Sequence, residues 1–130
     1  MLKQGDVAPL ISLPELSSDG VTAISYELLP TIVAFIETDC PTCRLAIPYV
    51  QALSDSIGSD RIQVVCISQD SSLATAAFKS QMRLSLPTLL DRDLQVSRAF
   101  DPVSVPGIFL ISPGGDVAAG YSSFSKEELR

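Results

Sequence analysis

The sequence predicts an α/β domain in which a parallel strand–helix–strand unit is joined to antiparallel hairpins. Three observations predict it. Two short apolar runs rich in β-branched residues, TIVAFI at 31–36 and IQVVCI at 62–67, flank a stretch with helical periodicity. Such runs suit fully buried central strands, and strand, helix, strand in this order gives parallel strands with a right-handed crossover. A third run, IFLI at 108–111, meets the turn Pro113-Gly114-Gly115-Asp116 and returns as Val117 to Tyr121, which reads as a hairpin.

The remaining elements follow in order. VAPLISLPEL at 7–16 is extended and carries Pro9 and Pro14, which suit an edge strand. Ser17-Ser18-Asp19-Gly20 is turn chemistry, so Val21 to Ile24 returns as the second strand of an N-terminal hairpin. Ser25 is placed to cap one helical turn through Leu29, ended by Pro30. After the first central strand, Leu45, Ile47, Val50, Leu53 and Ile57 recur at roughly helical spacing. Pro41 fits the first turn of that helix, Pro48 predicts a kink inside it, and Gly58 stops it. Ser71 or Ser72 caps a helix through Met82. Leu86 to Leu90 is a short extended piece, Asp91-Arg92-Asp93 a charged loop, and Leu94 to Phe100 a short helix. Ser125 caps a last turn, Lys126 to Arg130.

Composition narrows the function. The chain has 130 residues, a single domain's worth, and nearly half of them are apolar. A net charge of −6 without any Lys/Arg cluster argues against a nucleic-acid partner. The longest apolar runs fall far short of the roughly 20 residues that a membrane-spanning helix needs. The N-terminus has no apolar core of a signal peptide, so a cytoplasmic setting is the default, although a removed leader or an upstream anchor would look the same.

The chemistry concentrates in TDCPTCR, residues 38–44. Cys40 and Cys43 lie three residues apart where the first central strand gives way to its helix, and so share one face of one turn. Three readings compete: a metal clip, a structural disulfide and a redox pair. A structural zinc site wants four ligands, and the chain offers one further cysteine, Cys66, inside an apolar strand, and no histidine. The absence of histidine also excludes Ser-His-Asp and Cys-His nucleophiles. A disulfide across so short a loop removes little chain entropy. A CxxC pair at a strand-to-helix junction suits thiol–disulfide exchange. There the unpaired N–H groups and dipole of the helix start favour a thiolate at Cys40, the nucleophile, while Cys43, one turn in and more covered, suits the resolving thiol. Pro41 and Thr42, between them, are expected to meet substrate. No metal and no cofactor is required.

These segments resemble the thioredoxin-like superfamily, in its TlpA-like and peroxiredoxin-related (AhpC/TSA-type) branch. VAPLISLPELSSDG is similar to that branch's N-terminal hairpin, and TIVAFIETDCPTCRLAIP to its strand, CPxC motif and first helix. LPTLLDRDLQVSRAF resembles the segment before the last hairpin, and VSVPGIFLISPGGDV the cis-proline loop and hairpin. The resemblance implies a three-layer sandwich with helices on both faces and sheet order 61–67, 31–36, 108–111, 116–121. It implies that Val105–Pro106 is cis, faces the cysteine pair and offers backbone groups to an extended substrate. It implies disulfide-containing or dithiol proteins as partners. It also implies a last helix that residues 126–130 only begin, hence a truncated C-terminal helix and a sheet face open to self-association.

The sequence departs from the family at named positions. Asp39 stands where Trp usually precedes the first cysteine, Gly107 where Thr commonly follows the cis-proline, and Ala34 where many thioredoxins bury an Asp. Glu37 and Asp39 bring two carboxylates near Cys40, and like charge opposes a thiolate. Related peroxidases carry Thr three residues before their reactive cysteine, where Glu37 stands here. Two rivals to exchange therefore remain: a thiol peroxidase at Cys40, and a non-enzymatic binding module on the same fold. Cys66 is expected to be a packing residue. Glu37 reads as a strand-end carboxylate, with a proton-shuttle role as its alternative, and Arg44 as a solvated first-turn side chain.

Overall fold

The computed structural model describes residues 1–122, so the expected last turn at 126–130 lies outside the described residues. The elements are β1 (Ile11–Pro14), β2 (Val21–Ile24), β3 (Thr31–Ile36), α1 (Pro41–Ile57), β4 (Gln63–Ser68), α2 (Ser72–Met82), β5 (Thr88–Leu90), α3 (Gln95–Phe100), β6 (Gly107–Ile111) and β7 (Val117–Ser122). The main sheet runs β5-β4-β3-β6-β7. β3 pairs parallel with β4 and antiparallel with β6, which pairs antiparallel with β7. The expected order of four strands is present, and Leu86 to Leu90 contributes a fifth, β5, parallel at the β4 edge. β1 and β2 form their own antiparallel pair, with Pro14 at its end opposite Val21.

β3 is central because all six of its residues are buried. Its side chains alternate between two faces, as strand geometry requires. Val33 and Phe35 join Val65, Ile67, Leu89, Phe109 and Ile111 under α3 and the N-terminal hairpin. There Phe35, Phe100 and Phe109 form a ring cluster with centroids 5.1 to 5.8 Å apart. Each such ring contributes about 1.5–3 kcal/mol by leaving water. Ile32, Ala34 and Ile36 face the other way and join Cys43, Ile47, Val50, Cys66 and Phe78 under α1 and α2. Helices therefore cover both faces.

Local sequence signals explain most boundaries. Pro41 opens α1, which continues through Pro48; that proline lies on the exposed side. Gly58, at φ +97°, ends the helix with its N–H on the Ser54 carbonyl. Ser71 caps α2 by accepting from the Ala74 N–H.

Three expectations need correction. Residues 25–29 form irregular backbone with a bend at 27–29 rather than a helical turn: the Ser25 hydroxyl accepts from the Glu27 N–H, and the Tyr26 ring is buried with its hydroxyl donating to the Pro9 carbonyl. Buried Tyr26 draws this segment onto the core and leaves it no helical register. The buried stripe of α1 is Cys43, Ala46, Ile47 and Val50, whereas Leu45 and Leu53 face outward; 43, 46, 47 and 50 follow helical spacing more closely than the expected set. Asp91 is no mere loop charge. Its carboxylate is 1 % exposed and accepts from the Val96 and Ser97 N–H groups and the Ser97 hydroxyl, which caps α3 in place of Leu94.

Candidate active site

β3 ends at Ile36, and Glu37 to Asp39 carry the chain from the C-terminal end of the strand to Cys40. Cys40 is the N-cap of α1, with extended backbone at φ −93° and ψ 112°. Its sulfur accepts from the Cys43 N–H at 3.1 Å, so it satisfies a helix-start donor that a Ser or Asp side chain would otherwise take. Half-exposed Cys40 also reaches the Val105 carbonyl oxygen at 3.6 Å, donating its S–H to it. All three cysteines are free thiols.

Cys43 is fully buried, one turn into the helix. Burial pushes its thiol well above the usual range. The hydrogen bond with Cys40 and the charges of Cys40 and Glu37 add to that push, while a backbone hydrogen bond from Glu37 opposes it. Ala34, where a buried acid would sit in the resembling family, is fully buried in the same apolar cluster as Cys43. Glu37 is half-buried and is the carboxylate whose charge Cys43 feels, whereas Asp39 is exposed.

Val105–Pro106 is a cis peptide on the segment entering β6, and Val105 touches both apolar clusters. Pro106 is buried and Val105 half-buried. Gly107 is set by close packing: a Cβ there would lie 2.4 Å from the Pro102 Cβ, inside any real contact. The hairpin thus admits no Thr at this position. Of the two residues between the cysteines, Pro41 is exposed and Thr42 half-buried. Cys40, Cys43, Pro41, Thr42, Val105 and Pro106 thus lie together at one end of β3, although Val105 is 65 residues from Cys40.

Cys66 sits in β4 opposite Ala34, 1 % exposed, and burial pushes its thiol up to about 12. It fills the core. Arg44 departs from its expected solvated state. Its Nη2 donates to the Thr38 carbonyl at 3.0 Å, its Nη1 donates to Gln81 Oε1 at 3.2 Å, and its guanidinium lies 5.1 Å from the Phe78 ring centre. Asp70, which the sequence did not single out, accepts the Thr38 N–H at 2.7 Å. It stands 32 residues from Thr38, so no local pattern announces it.

Among the described residues no group of His, Cys, Asp and Glu is arranged to hold a metal ion, and no helix is long and apolar enough to cross a membrane. The AhpC/TSA family matches residues 4–119. Thiol-disulfide oxidoreductase ResA of Bacillus subtilis (strain 168) is 26 % identical over 129 residues, covering 98 % of this chain and 72 % of its own. The crystal structure of a putative thiol:disulfide interchange protein DsbE from Chlorobium tepidum superposes with TM-score 0.89 at 24 % identity, covering 98 % of this chain and 91 % of that one. The thioredoxin domain of a Bacteroides vulgatus thiol-disulfide oxidoreductase gives TM-score 0.85 at 20 % identity, over 95 % and 91 %. The chain belongs to the AhpC/TSA family, in its thioredoxin-like, TlpA-like branch of thiol-disulfide oxidoreductases.

Proposed function

We propose that the protein exchanges disulfides with protein substrates through Cys40 and Cys43. The observation that carries this reading is the pairing of a half-exposed Cys40 sulfur, held by the Cys43 N–H and beside the Val105 carbonyl, with a fully buried Cys43. An attacking thiolate needs access and hydrogen-bond donors; a resolving thiol needs to stay protonated until called on.

The Cys40 thiolate attacks one sulfur of a substrate disulfide. The Cys40–substrate S–S bond forms, the substrate S–S bond breaks, and the leaving thiolate takes a proton. Cys43 then loses its proton and attacks the Cys40 sulfur. The Cys40–Cys43 bond forms and the second substrate thiol leaves. Two electrons pass from the pair to the substrate, and the reverse sequence oxidises a dithiol. The Val105 and Pro106 backbone, with Pro41 and Thr42, forms the docking surface for an extended substrate segment.

The test is the reduction of a disulfide-bonded protein by the reduced chain, run beside consumption of a hydroperoxide. The reading expects catalysed disulfide reduction and peroxide loss no faster than with a Cys40→Ser variant. Peroxide consumption that depends on Cys40, without disulfide reduction, replaces this reading with a thiol peroxidase. Neither activity leaves a binding module.

A further inference from the structure

We propose that Arg44 and Asp70 are positioning residues that clamp the Thr38 backbone from both sides and thereby hold Cys40 in reach of Cys43; the proposal rests on the redox pair above. Thr38 is two residues before Cys40. Its N–H is bound by the Asp70 carboxylate at 2.7 Å and its carbonyl by the Arg44 guanidinium at 3.0 Å. Arg44 also donates its own backbone N–H to the Cys40 carbonyl at 3.1 Å. One residue therefore grips both ends of Thr38-Asp39-Cys40, and the exposed Asp39 side chain is left pointing at water.

Both jaws are themselves fixed to α2. Asp70 donates its N–H to the Ser68 hydroxyl, which shares a buried hydrogen bond of 2.7 Å with Thr75 on the first turn of α2. Arg44 rests on Phe78 and Gln81, toward the other end of the same helix. The guanidinium uses its planar fork here: two nitrogens hold partners on different elements while the face covers a ring. A point charge cannot make this set of contacts. α2 is thus the rigid body against which the cysteine loop is braced.

The chemical consequence is an effective concentration. Closing the Cys40–Cys43 disulfide costs least when the loop already holds the two sulfurs together. Loosening Thr38 lets the Cys40 sulfur drift from the Cys43 sulfur, which lowers their effective concentration and shifts the pair towards the dithiol.

The experiment measures the equilibrium constant for the Cys40–Cys43 disulfide against glutathione, on the full chain, at a temperature where circular dichroism shows each variant folded. Arg44→Ala and Asp70→Ala are each expected to shift it towards the dithiol by about three- to tenfold. Asp70→Asn, which keeps an oxygen for the Thr38 N–H, should stay within about twofold of the parent. Arg44→Lys, which keeps the charge but not the fork, should behave like Arg44→Ala. The double alanine variant should shift less than the product of the two single shifts, because both act through one residue, Thr38. Alanine variants that match the parent overturn the clamp, as does a Lys variant that fully restores it, since charge alone would then suffice. A parent that equilibrates with glutathione but exchanges with no protein refutes the proposed function and leaves the clamp standing. A parent that forms no Cys40–Cys43 disulfide overturns both.

Discussion

The Cys40 sulfur and the Val105 carbonyl oxygen lie 3.6 Å apart, which joins the start of α1 to the entry of β6 across 65 residues of chain. Neither segment alone makes a site. β3 delivers Cys40 to its C-terminal end, and the antiparallel pairing of β6 with β3 brings Val105–Pro106 back to the same end of the sheet.

That closure depends on Gly107. Gly107→Ala forces a Cβ to within 2.4 Å of Pro102, so the 102–107 segment must move. The expected cost is about 1–3 kcal/mol of stability, typical of overpacking. Exchange should also slow, because Val105 shifts with the segment. Urea unfolding and a disulfide-reduction assay on the same sample check both, and an unaltered unfolding midpoint would contradict the packing account.

Asp91 offers a second test of a residue far from the cysteines. Asp91→Ala leaves the Val96 and Ser97 N–H groups and the Ser97 hydroxyl without their acceptor in a buried setting. A loss of about 2 kcal/mol is expected from the missing cap and unpaired donors. Chemical denaturation reads it. Disulfide exchange measured well below the unfolding midpoint should change little, since α3 lies on the sheet face opposite α1.

Four of the five strands of the main sheet were legible in the sequence, as short apolar runs followed by a helical stretch or a hairpin turn, whereas β5 read only as a short extended piece. Cys40, Cys43 and the βαβ junction were legible for the same reason. Gly107 was visible as a departure from the family, but its cause was not, since Pro102 meets it only in the folded loop. Arg44 read as solvated because its partners, Thr38, Phe78 and Gln81, come from two other segments. Asp91 read as loop because capping of α3 from three residues before Leu94 is not the usual N-cap position. The burial of Tyr26 likewise overrode the local helical signal at Ser25. In each miss a tertiary contact decided what local pattern left open.

Buried thiols should make the fold sensitive to alkali. Cys66 has an unfolded value of about 8.5, and burial raises it to about 12 in the folded chain. A raised value means that the unfolded state releases its proton first. Stability is thus fully present below about pH 8.5 and is lost as pH rises towards 12. Between pH 8.5 and 10 this group alone takes away about 1.5 kcal/mol. Cys43, also raised by burial, acts in the same direction. Cys66→Ala is therefore expected to start less stable at pH 7 but to lose stability less steeply up to pH 10. Equal slopes for the parent and Cys66→Ala in urea titrations would show that Cys66 ionises freely in the fold.

The central claim is the division of labour between Cys40 and Cys43, and the most direct measurement is non-reducing electrophoresis after each variant meets a disulfide-bonded protein. Cys43→Ser keeps the attacking sulfur but cannot resolve, so it should accumulate a covalent complex through Cys40 that reductant dissolves. Cys40→Ser should form none, because both remaining sulfurs, Cys43 and Cys66, are buried. Cys66→Ser should turn over like the parent wherever it is folded. A complex trapped by Cys40→Ser instead of Cys43→Ser would contradict the assignment, and a Cys43→Ser variant that traps nothing would contradict exchange at this site altogether.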